Sequence, residues 1–243
     1  MINVIISGIQ GKMGQILKQT IESNVNFNLV GGYDHDASQG VTSNLDNLPD
    51  ADVLIDFSHP SALKDILSFA QKRKVALVIA TTGYSNDELK MIDEASHSVP
   101  IFYSANYSIG IYLLNQALKQ IVRPLEKDYD IEIVETHHHF KKDAPSGTAL
   151  NLADTINHQL TVKKPIIKGE SSTKGIHIHS LRMGNYVGEH EVIFSSMEET
   201  IRLSHTAHDK KVFAVGALKA AEYIVKKSKG IYGMDDLLGG NHE

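Results

Sequence analysis

The first hundred residues alternate strand-like apolar runs with amphipathic, helix-like segments. Ile2–Ser7 is the first such run, and apolar residues recur at helical spacing between Lys12 and Ser23. Further strand-like runs occupy residues 27–33, 53–57, 75–81 and 101–104. Strands that are separated by helices are joined by crossover connections, which favours a parallel sheet covered by helices on both faces. The sequence therefore predicts a doubly wound α/β unit of the Rossmann type at the start of the chain.

The second half of the chain has a different pattern. Helix-like segments at 109–122 and 145–160 flank a strand-like run at 129–135, and three strand candidates follow in succession at 176–183, 187–196 and 200–206. This order predicts a second α+β domain with a mixed, mostly antiparallel sheet. A final helix at 211–227 and the apolar tail at 231–238 are expected to return to the first domain.

Composition excludes several classes of function. None of the 243 residues is cysteine, so disulfides, thiolate nucleophiles and cysteine-ligated zinc are excluded. The formal net charge of −5 argues against a nucleic-acid partner. We expect no membrane partner and a cytoplasmic location, because neither a signal peptide nor an apolar run of about 20 residues stands out in the sequence.

A glycine-rich turn follows the first strand and opens the first helix. Residues 8–14 read GIQGKMG, and Asp34 stands 20 residues after Gly14, at the end of the second strand. Glycines let backbone N–H groups approach a pyrophosphate, and an acidic residue at this distance suits ribose hydroxyls. The turn therefore predicts a dinucleotide site, although a simple glycine turn is the alternative. The segments 80–83 and 105–108 end the fourth and fifth strands and suit the same crevice.

A second concentration of functional side chains lies at 132–156, EIVETHHHFKKDAPSGTALNLADTI. Strand alternation points His137 and His138 in different directions, so the two are expected to have different roles. Pro145 suits a first helical position, which would leave the following N–H groups as free first-turn donors. With Lys141 as a cation, these donors predict an anion site for a small acid, and a dicarboxylate suits it best.

Two other interpretations of the histidines remain open. His137 with His139, or His177 with His179, could bind a metal, but no HExxH-type spacing is present and we predict no metal site. Alternatively, His139, His177 and His179 lie on the surface and Asp143 caps the helix.

With these motifs the chain resembles the dihydrodipicolinate reductase family. The resemblance rests on residues 8–14, 56–60, 80–83, 105–108 and above all 135–150, in the family's order over nearly the whole chain. It implies a dinucleotide-binding domain made of residues 1–107 and 213–243. It also implies a substrate-binding and oligomerisation domain at 108–212, whose sheet builds a homotetramer.

The resemblance also implies roles for individual residues. His137 matches the catalytic acid and Lys141 its cationic partner. The substrate-binding candidates are His138, Lys141, Ser146, Gly147 and Thr148. The cofactor-binding candidates are Gly8, Ile9, Gln10, Gly11, Lys12, Met13, Asp34, Ala80, Thr81, Thr82, Ala105, Asn106, Tyr107 and Ser108. Lys12 stands where the family often has arginine, and Asp34 with His35 replaces a frequent glutamate–arginine pair. The choice between NADPH and NADH is therefore open.

The implied reaction is the NAD(P)H-dependent reduction of 4-hydroxy-tetrahydrodipicolinate to tetrahydrodipicolinate in lysine and diaminopimelate biosynthesis. A semialdehyde dehydrogenase would need a thiolate, which this chain lacks. A non-enzymatic NAD(P)H-binding sensor is the remaining alternative. It would have no use for a proton donor at its binding site.

Overall fold

The computed structural model of the chain describes residues 1–36, 40–169 and 174–239. These residues form two compact units. The first consists of Met1–Tyr107 and the chain from Lys210 onward, and the second is Ser108–Asp209. The chain returns to the first unit three residues before the predicted position, 213. Residues 240–243 of the predicted first domain lie outside the described residues. No helix in the described ranges has both the length and the apolarity to cross a membrane.

The first unit contains a six-stranded parallel sheet. Its strands are β1 (Ile2–Ser7), β2 (Phe27–Tyr33), β3 (Val53–Asp56), β4 (Ala76–Ile79), β5 (Pro100–Tyr103) and β11 (Gly230–Tyr232), in the spatial order β11-β5-β4-β3-β1-β2. Its helices are α1 (Lys12–Glu22), α2 (Leu63–Arg73), α3 (Asn86–Ser96), α6 (Lys211–Ile224) and α7 (Met234–Leu238). The Rossmann-type parallel sheet is confirmed.

Burial explains why this sheet is parallel and covered on both faces. Every residue of β3 and β4 is buried, which is typical of strands that lie between two layers of helices. Leu54 of β3 and Leu77 of β4 share a core cluster with residues of α2 and α3. The helices α1 and α6 pack together, and α6 also contacts β3, β4 and β5.

Not every element of the first unit was visible in the sequence. The tail predicted only as an apolar segment forms β11, which pairs with β5 at the edge of the sheet. A strand of three residues is too short to show a period of two, which is why the pattern missed it. The return of α6 to the first unit, by contrast, agrees with the expectation for the final helix.

The second unit contains a mixed, five-stranded sheet. Its strands are β6 (Asp130–His137), β7 (Ile166–Lys168), β8 (Ile176–Arg182), β9 (Gly188–Ser195) and β10 (Thr200–Ala207), in the order β10-β9-β6-β8-β7. Two of these four pairings, β10–β9 and β9–β6, are antiparallel and the other two are parallel. The helices α4 (Ile109–Leu125) and α5 (Gly147–Gln159) share a core cluster with the strands. The predicted mixed sheet is confirmed, but it is only half antiparallel, because β8 pairs with β6 in parallel and the unpredicted β7 adds a short parallel edge.

Gly216 of α6 lies where the helix touches the backbone of Tyr107. A Cβ at position 216 would lie 1.9 Å from the Tyr107 carbonyl oxygen. We therefore expect Gly216→Ala to lower the free energy of unfolding by about 1–3 kcal/mol, although alanine is otherwise the better helix former. Urea denaturation measures this change.

The matched control is Val215→Ala, since Val215 is the partly exposed neighbour in the same helix. This variant should stay within about 0.5 kcal/mol of the parent. Equal stability of Gly216→Ala and the parent would contradict the close approach.

Candidate active site

The glycine-rich turn of the first unit is closed by its own backbone. The Gly11 N–H donates to the Gly8 carbonyl oxygen at 3.0 Å. A Cβ at Gly14 would lie 2.1 Å from that same oxygen, so only glycine permits this path of the chain. The turn leads directly into α1, and the N–H groups at a helix N-terminus suit a phosphate.

Asp34 is held against this turn. Its carboxylate accepts the N–H of Gln10 and the N–H of His35, each at 2.9 Å. Gly8, Gln10, Gly11 and Asp34 line one cavity of about 670 Å³. A pyrophosphate-type turn and a carboxylate that can bind a ribose thus share one cavity, so the residues present fit a nicotinamide dinucleotide.

A second cavity of about 450 Å³ lies beside the first. It is lined by four predicted cofactor residues, Met13, Ala80, Thr81 and Thr82. The loop after β3 borders both cavities through Phe57, Ser58 and His59. These three residues lie in the segment that carries the family resemblance, but they were not among the predicted cofactor residues.

The remaining predicted cofactor residues have other surroundings. The side chains of Ile9 and Tyr107 are buried, and the Tyr107 hydroxyl donates to the carbonyl of Ile79 at 2.8 Å. Lys12 is exposed at the first position of α1. Ser108 belongs to the second unit, where it caps α4 by accepting the Ile111 N–H. Ala105 and Asn106 lie in the segment between β5 and α4.

In the second unit, a fully buried carboxylate organises the predicted catalytic segment. Glu135 and His137 project from the same face of β6, because they are two residues apart. The Glu135 side chain has no exposure, and its Oε2 lies 2.5 Å from Nδ1 of His137. Its Oε1 accepts the Ser146 N–H at 3.2 Å.

Arg182 completes the environment of this carboxylate. The register of β6 and β8 places Arg182 opposite His137. Its Nη1 donates to Oε2 of Glu135 at 2.9 Å and its Nη2 donates to Oε1 at 2.7 Å. Burial would raise the pKa of Glu135, but the hydrogen bonds from His137 and Arg182 outweigh it and hold this pKa well below its usual range. The carboxylate is therefore ionised.

A second histidine, His190, faces His137 from β9. The two rings meet edge to face with their centroids 5.2 Å apart. Nε2 of His190 lies 3.1 Å from the Ser146 hydroxyl, which also accepts the Ala149 N–H at the start of α5. Burial and the neighbouring His137 lower the pKa of His190 to about 4. His190 is therefore neutral near pH 7 and adds no positive charge beside His137.

The predicted substrate residues lie around the start of α5, with two corrections. The helix begins at Gly147 with Ser146 as its N-cap, so neither Pro145 as a first helical residue nor Asp143 as a cap is right. Proline and aspartate suit these roles by propensity, but the Ser146 hydroxyl takes the capping bond. Gly147 is exposed and Thr148 is partly buried in the first turn.

The loop between β6 and α5 carries the other two predicted substrate residues. Nζ of Lys141 lies 2.8 Å from a carboxylate oxygen of Asp143. The N–H of His138 donates to the Tyr186 carbonyl at 2.8 Å, which ties this loop to the turn between β8 and β9. The structure thus brings Lys141 and His138 to the same end of β6 as His137.

The histidine pairs that were weighed as metal ligands have other partners. His139 is exposed, and Nε2 of His179 lies 2.7 Å from a Glu132 oxygen. His177 is only 1% exposed, which corrects the interpretation of it as a surface residue. Another group, Glu135 with His137 and His190, has ligand atoms within 4.8 Å of one another. The guanidinium on both oxygens of Glu135 opposes a cation there, so this group does not suit a metal.

Three residues of the site had not been singled out from the sequence: Glu135, Arg182 and His190. The period of two along β6 does place Glu135 beside His137 and could have identified it. Arg182 and His190 required the strand pairing, which the sequence pattern does not supply.

The buried, neutral His190 should make the second unit acid-sensitive. Its pKa lies below the ordinary value of about 6.5, so the unfolded chain binds more protons than the folded one as the pH falls from about 6.5 to about 4. Between about pH 7 and pH 5, this proton uptake should lower the free energy of unfolding by about 2 kcal/mol. Urea denaturation of the parent and of His190→Gln at both values measures it.

His190→Gln should lack this part of the pH dependence. The control His139→Gln changes an exposed histidine and should retain it. The same pH dependence in the parent and in His190→Gln would show that His190 takes up no proton on unfolding.

Comparisons with known proteins agree with these features. The family model described as "Dihydrodipicolinate reductase, N-terminus" matches residues 2–107, and the model of its C-terminus matches residues 110–238. The 4-hydroxy-tetrahydrodipicolinate reductase of Clostridium tetani is 44% identical over 98% of this chain and 97% of its own length. The enzyme of the same name from Caldanaerobacter subterraneus is also 44% identical, over 98% of each chain.

Solved structures give the same result. The dipicolinate-bound dihydrodipicolinate reductase from Paenisporosarcina is 26% identical and superposes with a TM-score of 0.81, covering 98% of this chain and 99% of the other. A DAP dehydrogenase from C. glutamicum in complex with DAP, 13% identical, has a TM-score of 0.57 over 96% and 92% of the two chains, and shows a shared fold. On these matches over both units, this chain belongs to the dihydrodipicolinate reductase family of oxidoreductases.

Proposed function

We propose that this chain catalyses the NAD(P)H-dependent reduction of 4-hydroxy-tetrahydrodipicolinate to tetrahydrodipicolinate, a step of lysine and diaminopimelate biosynthesis. Family membership and the names of its relatives over nearly the whole chain support this reaction. The observation in the structure that carries the proposal is the buried bond between His137 and Glu135, whose carboxylate also accepts the Ser146 N–H at the N-terminus of α5. Lys141 lies in the loop that joins β6 to α5. A proton donor next to an anion site is what reduction of an acidic ring requires.

The first unit supplies the cofactor site in this proposal. Backbone N–H groups of the 8–14 turn and the start of α1 would bind the pyrophosphate, and Asp34 would bind ribose hydroxyls. Met13, Ala80, Thr81 and Thr82 border the neighbouring cavity. When bound, NADH or NADPH supplies the hydride, and the protein supplies orientation and charge. The other predicted cofactor contacts remain part of the proposal: Ile9, Lys12, Ala105, Asn106, Tyr107 and Ser108.

The second unit binds the substrate in this proposal. The ring carries two carboxylates, and Lys141 neutralises one of them as a compact cation. The first-turn N–H groups of Gly147 and Thr148 lie at the positive end of the α5 dipole and suit an anion. His138 and Ser146 complete the set. The relative from Paenisporosarcina was solved with dipicolinate, a ligand with two carboxylates, which supports this choice of substrate class.

The proton comes from His137. After loss of water, the ring contains conjugated double bonds. A hydride supplied to one ring carbon would displace an electron pair to the adjacent carbon and the ring nitrogen. His137 donates a proton to the electron-rich carbon, so the product gains one hydride and one proton in total. General acid catalysis of this kind is typically worth about 10²–10⁴-fold.

We also propose a cytoplasmic homotetramer assembled through the sheet of the second unit. The family resemblance supports this assembly. The sheet face opposite α4 and α5 carries the partly buried side chains Val134 and Ile193, which a second sheet could cover.

The function is tested by following NADH and NADPH absorbance with freshly generated 4-hydroxy-tetrahydrodipicolinate. We expect substrate-dependent oxidation of at least one cofactor. His137→Gln should lower kcat by about 10²-fold or more, because the proton donor is lost, while KM changes little. The control His139→Gln alters an exposed histidine on the same loop and should keep parental kcat.

Cofactor binding without any substrate-dependent oxidation would overturn the proposal and favour the sensor. Unchanged kcat in His137→Gln, with an active parent, would remove His137 from the mechanism and leave the reductase function intact.

A further inference from the structure

The buried carboxylate of Glu135 accepts hydrogen bonds from three different residues, which is unusual for a side chain in a protein core. Its unexposed carboxylate is bonded by Arg182, by Nδ1 of His137 and by the Ser146 N–H. Desolvating a carboxylate and a guanidinium costs as much as their attraction returns, so a buried pair of this kind adds little to stability compared with apolar side chains. A role in the chemistry of the site explains this arrangement better than a role in folding.

We infer that Glu135 is a positioning residue that holds His137 with Nδ1 protonated and Nε2 as the proton-donating atom, and that Arg182 keeps Glu135 in this role. This inference rests on the proposed function, because it assigns a purpose to the ionised carboxylate behind the proton donor.

Hydrogen-bond chemistry fixes the tautomer of His137. An ionised carboxylate can only accept, so the nitrogen that faces Glu135 must carry a hydrogen. In neutral His137 that hydrogen is on Nδ1, which leaves Nε2 to take up and release the catalytic proton. Nε2 lies on the Gly188 side of the ring, 3.1 Å from where a Cβ on that residue would stand. A side chain at position 188 would therefore crowd the proton-donating atom.

Arg182 stabilises two parts of the site, the carboxylate of Glu135 and the loop after β6. Its two bonds oppose protonation of Glu135, so the proton of His137 stays on the imidazole rather than moving to the carboxylate. Its Nη2 also donates to the carbonyl of Asp143 at 2.6 Å, and Asp143 pairs with Lys141. Arg182 therefore positions His137 through Glu135 and, through Asp143, the loop that carries Lys141.

The test compares three variants in the reductase assay. Glu135→Gln keeps the size of the side chain but removes its charge, and we expect kcat to fall about 10–100-fold, with the substrate KM within about threefold. Glu135→Gln with Arg182→Gln removes both buried charges together and should be just as slow. The control Glu126→Gln removes a carboxylate that accepts from Thr161 at the far end of α5, and should keep parental kcat.

The double variant separates positioning from folding. If Glu135 and Arg182 only match each other's charge in the core, the neutral pair restores parental kcat and the inference is wrong. Parental kcat in the single variant overturns it as well. An inactive parent would instead refute the proposed reductase function and is recognised before any variant is compared.

A measurement on the unmodified protein tests the inference even if the Glu135 and Arg182 variants do not fold. Long-range ¹H–¹⁵N correlation spectra at about pH 9, well above the ordinary histidine pKa of about 6.5, report which ring nitrogen is protonated. The signal absent from His137→Gln identifies His137 among the 13 histidines. We expect the hydrogen on Nδ1. A hydrogen on Nε2 would contradict the inference.

Discussion

The ionised carboxylate of Glu135 is the group around which the candidate active site of the second unit is organised. It lies in a fully buried position, where a charge is costly unless every lone pair has a donor. Donors come from three elements: Arg182 of β8, His137 of β6 and the N–H of Ser146 at the start of α5. Satisfying this one charge therefore fixes His137, the N-terminus of α5 and the register of β6 and β8 relative to one another.

The two units differ in architecture, and each architecture suits a different part of the proposed chemistry. In the first unit, parallel strands end at one edge of the sheet, and the loops that follow them form two cavities. Asp34 lines one of these cavities and Thr81 lines the other. In the second, a mixed sheet brings charged side chains from neighbouring strands onto one face, where α5 begins. Loops that end parallel strands suit a long, phosphate-bearing cofactor. A strand face gives the rigid, short-range geometry that proton transfer needs.

Most of the fold and part of the candidate site could be predicted from the sequence, and the features that were missed have physical causes. The helical periodicity of α4 and the glycines of the turn at 8–14 can be recognised within a short stretch of sequence, and the structure agrees with both predictions. The short edge strands β7 and β11 do not show a period. Arg182 and His190 join the site only through β8 and β9, so their contribution depends on long-range register. Asp143 was weighed as a cap of α5 and Pro145 as its first residue, because propensity alone does not distinguish these positions from the actual N-cap, Ser146.

The most direct test is a crystal structure with the cofactor and a pyridine dicarboxylate bound. We predict that a ligand carboxylate binds Lys141 and the first-turn N–H groups of α5. Nε2 of His137 should face a ring carbon, and its Nδ1 should still contact Glu135. A dicarboxylate bound away from β6, or a His137 ring turned so that Nδ1 faces the ligand, would contradict this account.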